Sequence, residues 1–90
     1  MVKYTANTLK RLEEIFKELG YTVRHGRGNF KSGSCVLEDN KVIVINKYFS
    51  IEARIASLLE ILNSIEPDLA YLSKSNRDFY YKIVETPKLL

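Results

Sequence analysis

Val42-Ile43-Val44-Ile45 is a run of four β-branched aliphatic residues with no polar residue among them. Four residues are too few for a helix. In a strand their side chains point alternately to the two faces, so both faces must carry apolar groups. Such a strand belongs in the middle of a sheet with cover on both sides, and the rest of the chain has to supply neighbours and cover. Cys35-Val36-Leu37 is a second apolar run. Between the two lies Glu38-Asp39-Asn40-Lys41, whose Asp and Asn tolerate turn conformations, so the pair reads as a β-hairpin. Tyr21-Thr22-Val23-Arg24-His25 alternates bulky and polar residues and gives a third strand.

Helical periodicity flanks these strands. Leu9, Leu12, Ile15, Phe16 and Leu19 recur at spacings of three and four over residues 5–19, with Lys10, Arg11, Glu13, Glu14, Lys17 and Glu18 on the opposite, solvated arc. Thr5, Asn7 or Thr8 is placed to cap the start, and Gly20 supplies the left-handed residue that ends the helix. A second amphipathic stretch puts Ile51, Ile55, Leu58, Leu62 and Ile65 on one face, widened by Leu59. Ser50 is its expected N-cap and Pro67 prevents its continuation. Tyr48 and Phe49 ahead of that cap suggest a hydrophobic staple. Pro67 to Leu72 reads as a short helical turn. Ser75-Asn76-Arg77-Asp78 resembles a capping box for a last helix over residues 76–84, a segment whose Phe79-Tyr80-Tyr81 also has strand composition. Thr86 to Leu90 reads as a frayed end.

The predicted fold is therefore α+β: a helix, a three-stranded antiparallel sheet, a helix and short C-terminal helices, in one domain over residues 1–90. Ninety residues, 46% hydrophobic and 28% charged, suit one core and not two. The start of the chain runs into polar helical sequence without an apolar leader, and no stretch of about 18 apolar residues occurs, which predicts neither signal peptide nor membrane span. A single cysteine, Cys35, has no intramolecular partner, as expected of a cytoplasmic protein. The net charge of +3 permits an anionic partner without amounting to a polybasic arm.

The order of elements resembles two families. In the zinc metallopeptidase domain of the ImmA/IrrE type, a strand like Lys41 to Asn46 precedes a helix that carries His-Glu-x-x-His. Here Ser57-Leu58-Leu59-Glu60-Ile61-Leu62-Asn63 lies where that motif would lie, with Leu59 and Asn63 at the two metal positions and Glu60 alone retained. Two histidines four apart share a helical face and reach one zinc. With one histidine in the whole chain, the resemblance implies the layout without the chemistry. The double-stranded-RNA-binding domain also runs helix, three strands, helix, and grips phosphates through a lysine-rich start to its second helix. This chain has Ser50-Ile51-Glu52-Ala53-Arg54 there, one acid and one base. Gly20-Tyr21, the stretch from Gly28 to Gly33, Cys35 and Val44-Ile45-Asn46-Lys47 together also look like a group of small bacterial proteins, a likeness that implies no particular activity.

The strongest candidate contact surface is the glycine-rich segment from Arg24 to Lys31. Arg24, His25, Arg27, Asn29, Phe30 and Lys31 combine cations, an imidazole and an aromatic ring suited to a phosphate or a single-stranded base. Its glycines do not complete a dinucleotide fingerprint, because Lys31 stands where the third glycine belongs and a strand follows. The alternative is structural: a wide strand connection in which the glycines allow positive φ, Phe30 covers the core and the cations are solvated. Cys35 opens an apolar strand and reads as a buried thiol, not a nucleophile served by His25. Tyr71, Tyr80 and Tyr81 with Phe79 either seal the core or present a tyrosine-rich contact surface. The residues thus predict a non-enzymatic interaction or regulatory module with no metal or cofactor. Its partner is another protein or a second copy; nucleic acid or phosphate binding through the basic loop is the alternative.

Overall fold

The computed structural model describes residues 2–26, 34–37 and 41–85, the side chains of 34–37 and of residue 85 excepted. Helix α1 (Ala6–Glu18) is followed by β1 (Thr22–Gly26), β2 (Ser34–Leu37), β3 (Val42–Asn46), α2 (Ile51–Ile65), a 3-10 turn (Leu69–Tyr71) and α3 (Lys74–Glu85). This is the α+β order expected, and residues 76–84 are helical. Among the described residues no helix is long and apolar enough to cross a membrane.

The sheet order is β1-β3-β2, with the Val42–Ile45 run in the centre. Strands β2 and β3 pair antiparallel, Ser34 opposite Ile45 and Leu37 opposite Val42. Strands β1 and β3 run parallel, Thr22 beside Val42 and Gly26 beside Asn46. The expected antiparallel sheet is thus corrected to a mixed one. Successive strands do alternate in direction, but the third inserts between the first two, which makes it parallel to the first. Burial favours that order: β3 is the most apolar strand, whereas β1 exposes Thr22 and Arg24, and polar or charged side chains suit an edge. The expectation of cover on both faces of β3 holds in part. Ile43 and Ile45 are fully buried, while Val42 and Val44 on the other face are half-buried.

Local signals place the helices on the Ile43/Ile45 face. Thr5 caps α1 by accepting from the Thr8 amide at 3.3 Å. At its other end Gly20 takes φ 93°. The Gly20 amide donates to the Lys17 carbonyl at 3.1 Å and the Tyr21 amide to the Phe16 carbonyl at 2.9 Å. These two bonds, with the Tyr21 ring edge-on to Phe16 at 5.9 Å, form a Schellman ending with its hydrophobic contact. Leu12, Ile15 and Phe16 of α1 interlock with Ile55, Leu58 and Leu62 of α2 over the sheet, and Phe79 and Ile83 of α3 close the same core.

Helix α3 is capped by Ser73, not by Ser75 as the sequence suggests: Ser73 Oγ accepts from the Asn76 amide at 3.2 Å and its carbonyl accepts from the Arg77 amide. In a capping box the third helical residue reaches back to the cap's own amide. Asn76 is too short for that, and Glu18 of α1 supplies the acceptor, its Oε1 taking the Ser73 amide at 3.1 Å and Asn76 Nδ2 at 2.8 Å. Two turns earlier on α1, Arg11 donates to the Ser75 carbonyl and hydroxyl and lies 4.4 Å from the centre of the Phe79 ring. Arg11 and Glu18, assigned by periodicity to the solvated arc, therefore dock α3.

The Asn76 amide and then the Ser73 backbone amide hold the Glu18 carboxyl below its ordinary range. A depressed folded-state value means stability that is present above the unfolded carboxylate range and is lost as pH falls through the folded one. Wild type is expected to unfold at lower urea concentration as pH drops from about 5 to about 3, with Glu18→Gln less stable at neutral pH and losing less over that interval. Urea titrations of both proteins at several pH values measure this.

Candidate functional site

Of the candidate residues in the basic segment, Arg24 and His25 are described, and these two do not converge. Arg24 and His25 are neighbours on a strand and so point to opposite faces. His25, beside Ile45, lies on the helix side, where its Nε2 donates to Glu13 Oε1 at 3.0 Å. That bond ties β1 to α1. Arg24, beside Val44, is exposed on the other face. Arg27, Asn29, Phe30 and Lys31 lie outside the described residues, as do the Cys35 side chain and Thr86 to Leu90.

At the start of α2, Ser50 and Arg54 are engaged with nearby backbone. Ser50 caps the helix by accepting from the Ala53 amide at 3.1 Å, as expected. The staple is replaced by a polar clamp. Tyr48 is exposed, and Arg54 donates from Nε to the Phe49 carbonyl at 2.8 Å and from Nη2 to the Lys47 carbonyl at 2.7 Å. Asn46, 2% exposed, accepts from the Tyr48 amide through Oδ1 at 3.1 Å. The one cation at the start of α2 is thus committed to backbone carbonyls of its own connection. Further along, Leu58, Leu59 and Leu62 are buried, Leu59 at 6% exposure, while Glu60 and Asn63 face solvent. Among the described residues no three His, Cys, Asp or Glu side chains gather as a metal site would require.

A different place has the shape of a site. Parallel pairing brings the leading ends of β1 and β3 together, and the C-terminal ends of α1 and α2 meet them there. An open cleft of about 190 Å³ results. Leu19, Tyr21, Ile65 and Pro67 give it apolar walls, and Lys41, Glu66, Asp68 and Tyr71 complete its lining. The Schellman ending of α1 fixes Tyr21. Lys41 is held by the strand pairing, its carbonyl accepting the Thr22 amide at 2.8 Å. Asp68 caps the 3-10 turn, accepting from the Ala70 amide at 3.0 Å, and that turn carries Tyr71, 70% exposed, to the cleft. Of the aromatic residues weighed in the tail, Phe79 is in the core, Tyr80 packs against it, and Tyr71 and Tyr81 are exposed.

Sequence reasoning singled out Tyr71 but not Lys41 or Glu66. The juxtaposition of Tyr21 with Lys41 depends on the order of the strands, which no local pattern states. Glu66 did leave a trace, as a non-glycine residue between the last periodic position of α2 and Pro67. Compared with known protein families, with curated proteins and with solved structures, the chain matches none.

Proposed function

We propose that the chain is a non-catalytic interaction or regulatory module of the cytoplasm, which recognises its partner through the cleft beside Tyr71. One observation carries this reading. The stretch of α2 where the layout of a zinc metallopeptidase would hold its metal is part of the core, with Leu58, Leu59 and Leu62 packed against the sheet. A ligand at position 59 would point into that packing. His25, the one imidazole in the chain, is engaged with Glu13.

Protein incubated with zinc and then desalted is expected to retain far less than one zinc per chain and to cleave no unfolded protein substrate. Stoichiometric retained zinc accompanied by hydrolysis overturns the reading. The alternative of anion or nucleic-acid binding draws support from Arg24, which is exposed on the sheet face away from the helices. A salt-sensitive gel shift of single-stranded RNA, abolished by reversing charge at Arg27 and Lys31, would favour that alternative.

A further inference from the structure

We propose that the cleft binds a small zwitterion, an α-amino acid with an apolar side chain. This deepens the reading of the chain as a binding module and rests on it. The lining offers three kinds of complement in one small space. Lys41 is a cation for a carboxylate, Glu66 is a carboxylate for an ammonium, and Tyr21 and Ile65 contribute apolar wall. Among the described residues neither Lys41 nor Glu66 forms an ion pair or side-chain hydrogen bond. Lys41 on one hand and the carboxylates of Glu66 and Asp68 on the other put both signs on one cleft, which fits a ligand that carries both signs better than one that carries either alone.

The polarity of the site has a direction. Helix α2 ends at Ile65 with no basic residue in its last turn, so its terminal carbonyls leave the negative end of the helix dipole uncompensated next to Glu66. An ammonium belongs on that side, and Lys41 receives the carboxylate across the cleft. A volume of about 190 Å³ lies below the ~300–1,000 Å³ of pockets for drug-sized molecules and suits a ligand on the scale of one amino acid. Tyr71, at the mouth, has a free ring to lie against the ligand's apolar side chain.

Backbone conformation supplies an independent indication. Among the described residues the non-glycine positions with positive φ are Lys41 at 49° and Glu66 at 46°, the two charged residues on which the proposal depends. Glu66 also precedes Pro67, which favours extended backbone at that position. Glycine or asparagine at either position would remove most of the strain. Strained conformations of this kind collect where a particular side chain is needed at a ligand.

Amide-resolved NMR of the full chain titrated with L-leucine tests the proposal. Saturable shifts are expected at Tyr21, Lys41, Glu66 and Tyr71 with a dissociation constant of ~1 mM or below. N-acetyl-L-leucine, which lacks the ammonium, and L-leucinamide, which lacks the carboxylate, are each expected to bind ~5- to 10-fold more weakly. Lys41→Gln should weaken leucine but leave leucinamide unchanged, and Glu66→Gln should weaken leucine but leave N-acetyl-leucine unchanged. Glu66→Gly should bind more weakly while unfolding at higher urea concentration than wild type, which separates a ligand role from a structural one. Absence of saturable shifts with L-leucine, L-isoleucine and L-phenylalanine at ~50 mM overturns the proposal, as does equal affinity for leucine and both derivatives. Zinc retention and hydrolysis are read separately, so the amino-acid proposal can fail while the non-catalytic reading stands.

Discussion

Replacing Leu59 with alanine lowers the unfolding free energy by about 2–5 kcal/mol, the cost of removing a buried leucine and leaving a cavity behind it. Leu59 is 6% exposed and belongs to the cluster in which α1, α2 and the central strand interlock. Against the ~5–15 kcal/mol that holds a typical domain together, such a loss is a substantial fraction. The double variant Leu59→His with Asn63→His, which restores the metallopeptidase spacing, is expected to be less stable than wild type and to gain no tight zinc site. Position 59 faces the core and position 63 faces solvent, so the two imidazoles would start in different environments. Equilibrium urea unfolding with and without zinc measures both effects. A Leu59→Ala protein as stable as wild type would show that α2 does not pack as described.

The second large effect is expected at Arg54. Its guanidinium satisfies the Phe49 and Lys47 carbonyls in the connection from β3 to α2, a place where no regular element supplies donors. Charge-assisted bonds of this kind contribute more than neutral ones. Arg54→Ala is expected to cost about 2 kcal/mol, discounted because the Lys47 contact is solvent-accessible. Arg54→Lys should recover less than half of that, since an ammonium cannot present the planar fork that spans two carbonyls. Hydrogen exchange should show the loss concentrated at the Tyr48 and Phe49 amides and the first turn of α2. A phosphate-binding role would instead leave stability unchanged in both variants.

What could be read from the sequence was what local chemistry states. The helix periodicities, the Ser50 cap, the Gly20 ending and the central position of Val42–Ile45 all follow from side-chain pattern and backbone preference, which also left Thr5 among three possible caps of α1. The antiparallel expectation failed although the strand directions and the central strand were both legible. Chain direction alternates across three short strands, so a third strand placed in the middle must run parallel to the first. Only a simple 1-2-3 order gives antiparallel neighbours throughout. The roles of Arg11, Glu18 and Arg54 were hidden because each acts on backbone that is close in space but not marked in sequence. A polar residue on the outer arc of a helix looks the same whether it meets water or another helix. The cleft was hidden for the same reason, since its walls come from four separate chain ends.

The cleft exists because β1 runs parallel to β3, which sets Tyr21 beside Lys41. Nuclear Overhauser contacts across the sheet test that pairing directly. Contacts between Thr22 and Val42 and between Gly26 and Asn46 are expected from the register. Contacts between Thr22 and Asn46 and between Gly26 and Val42 would place Tyr21 at the opposite end of β3 from Lys41, and would contradict the account.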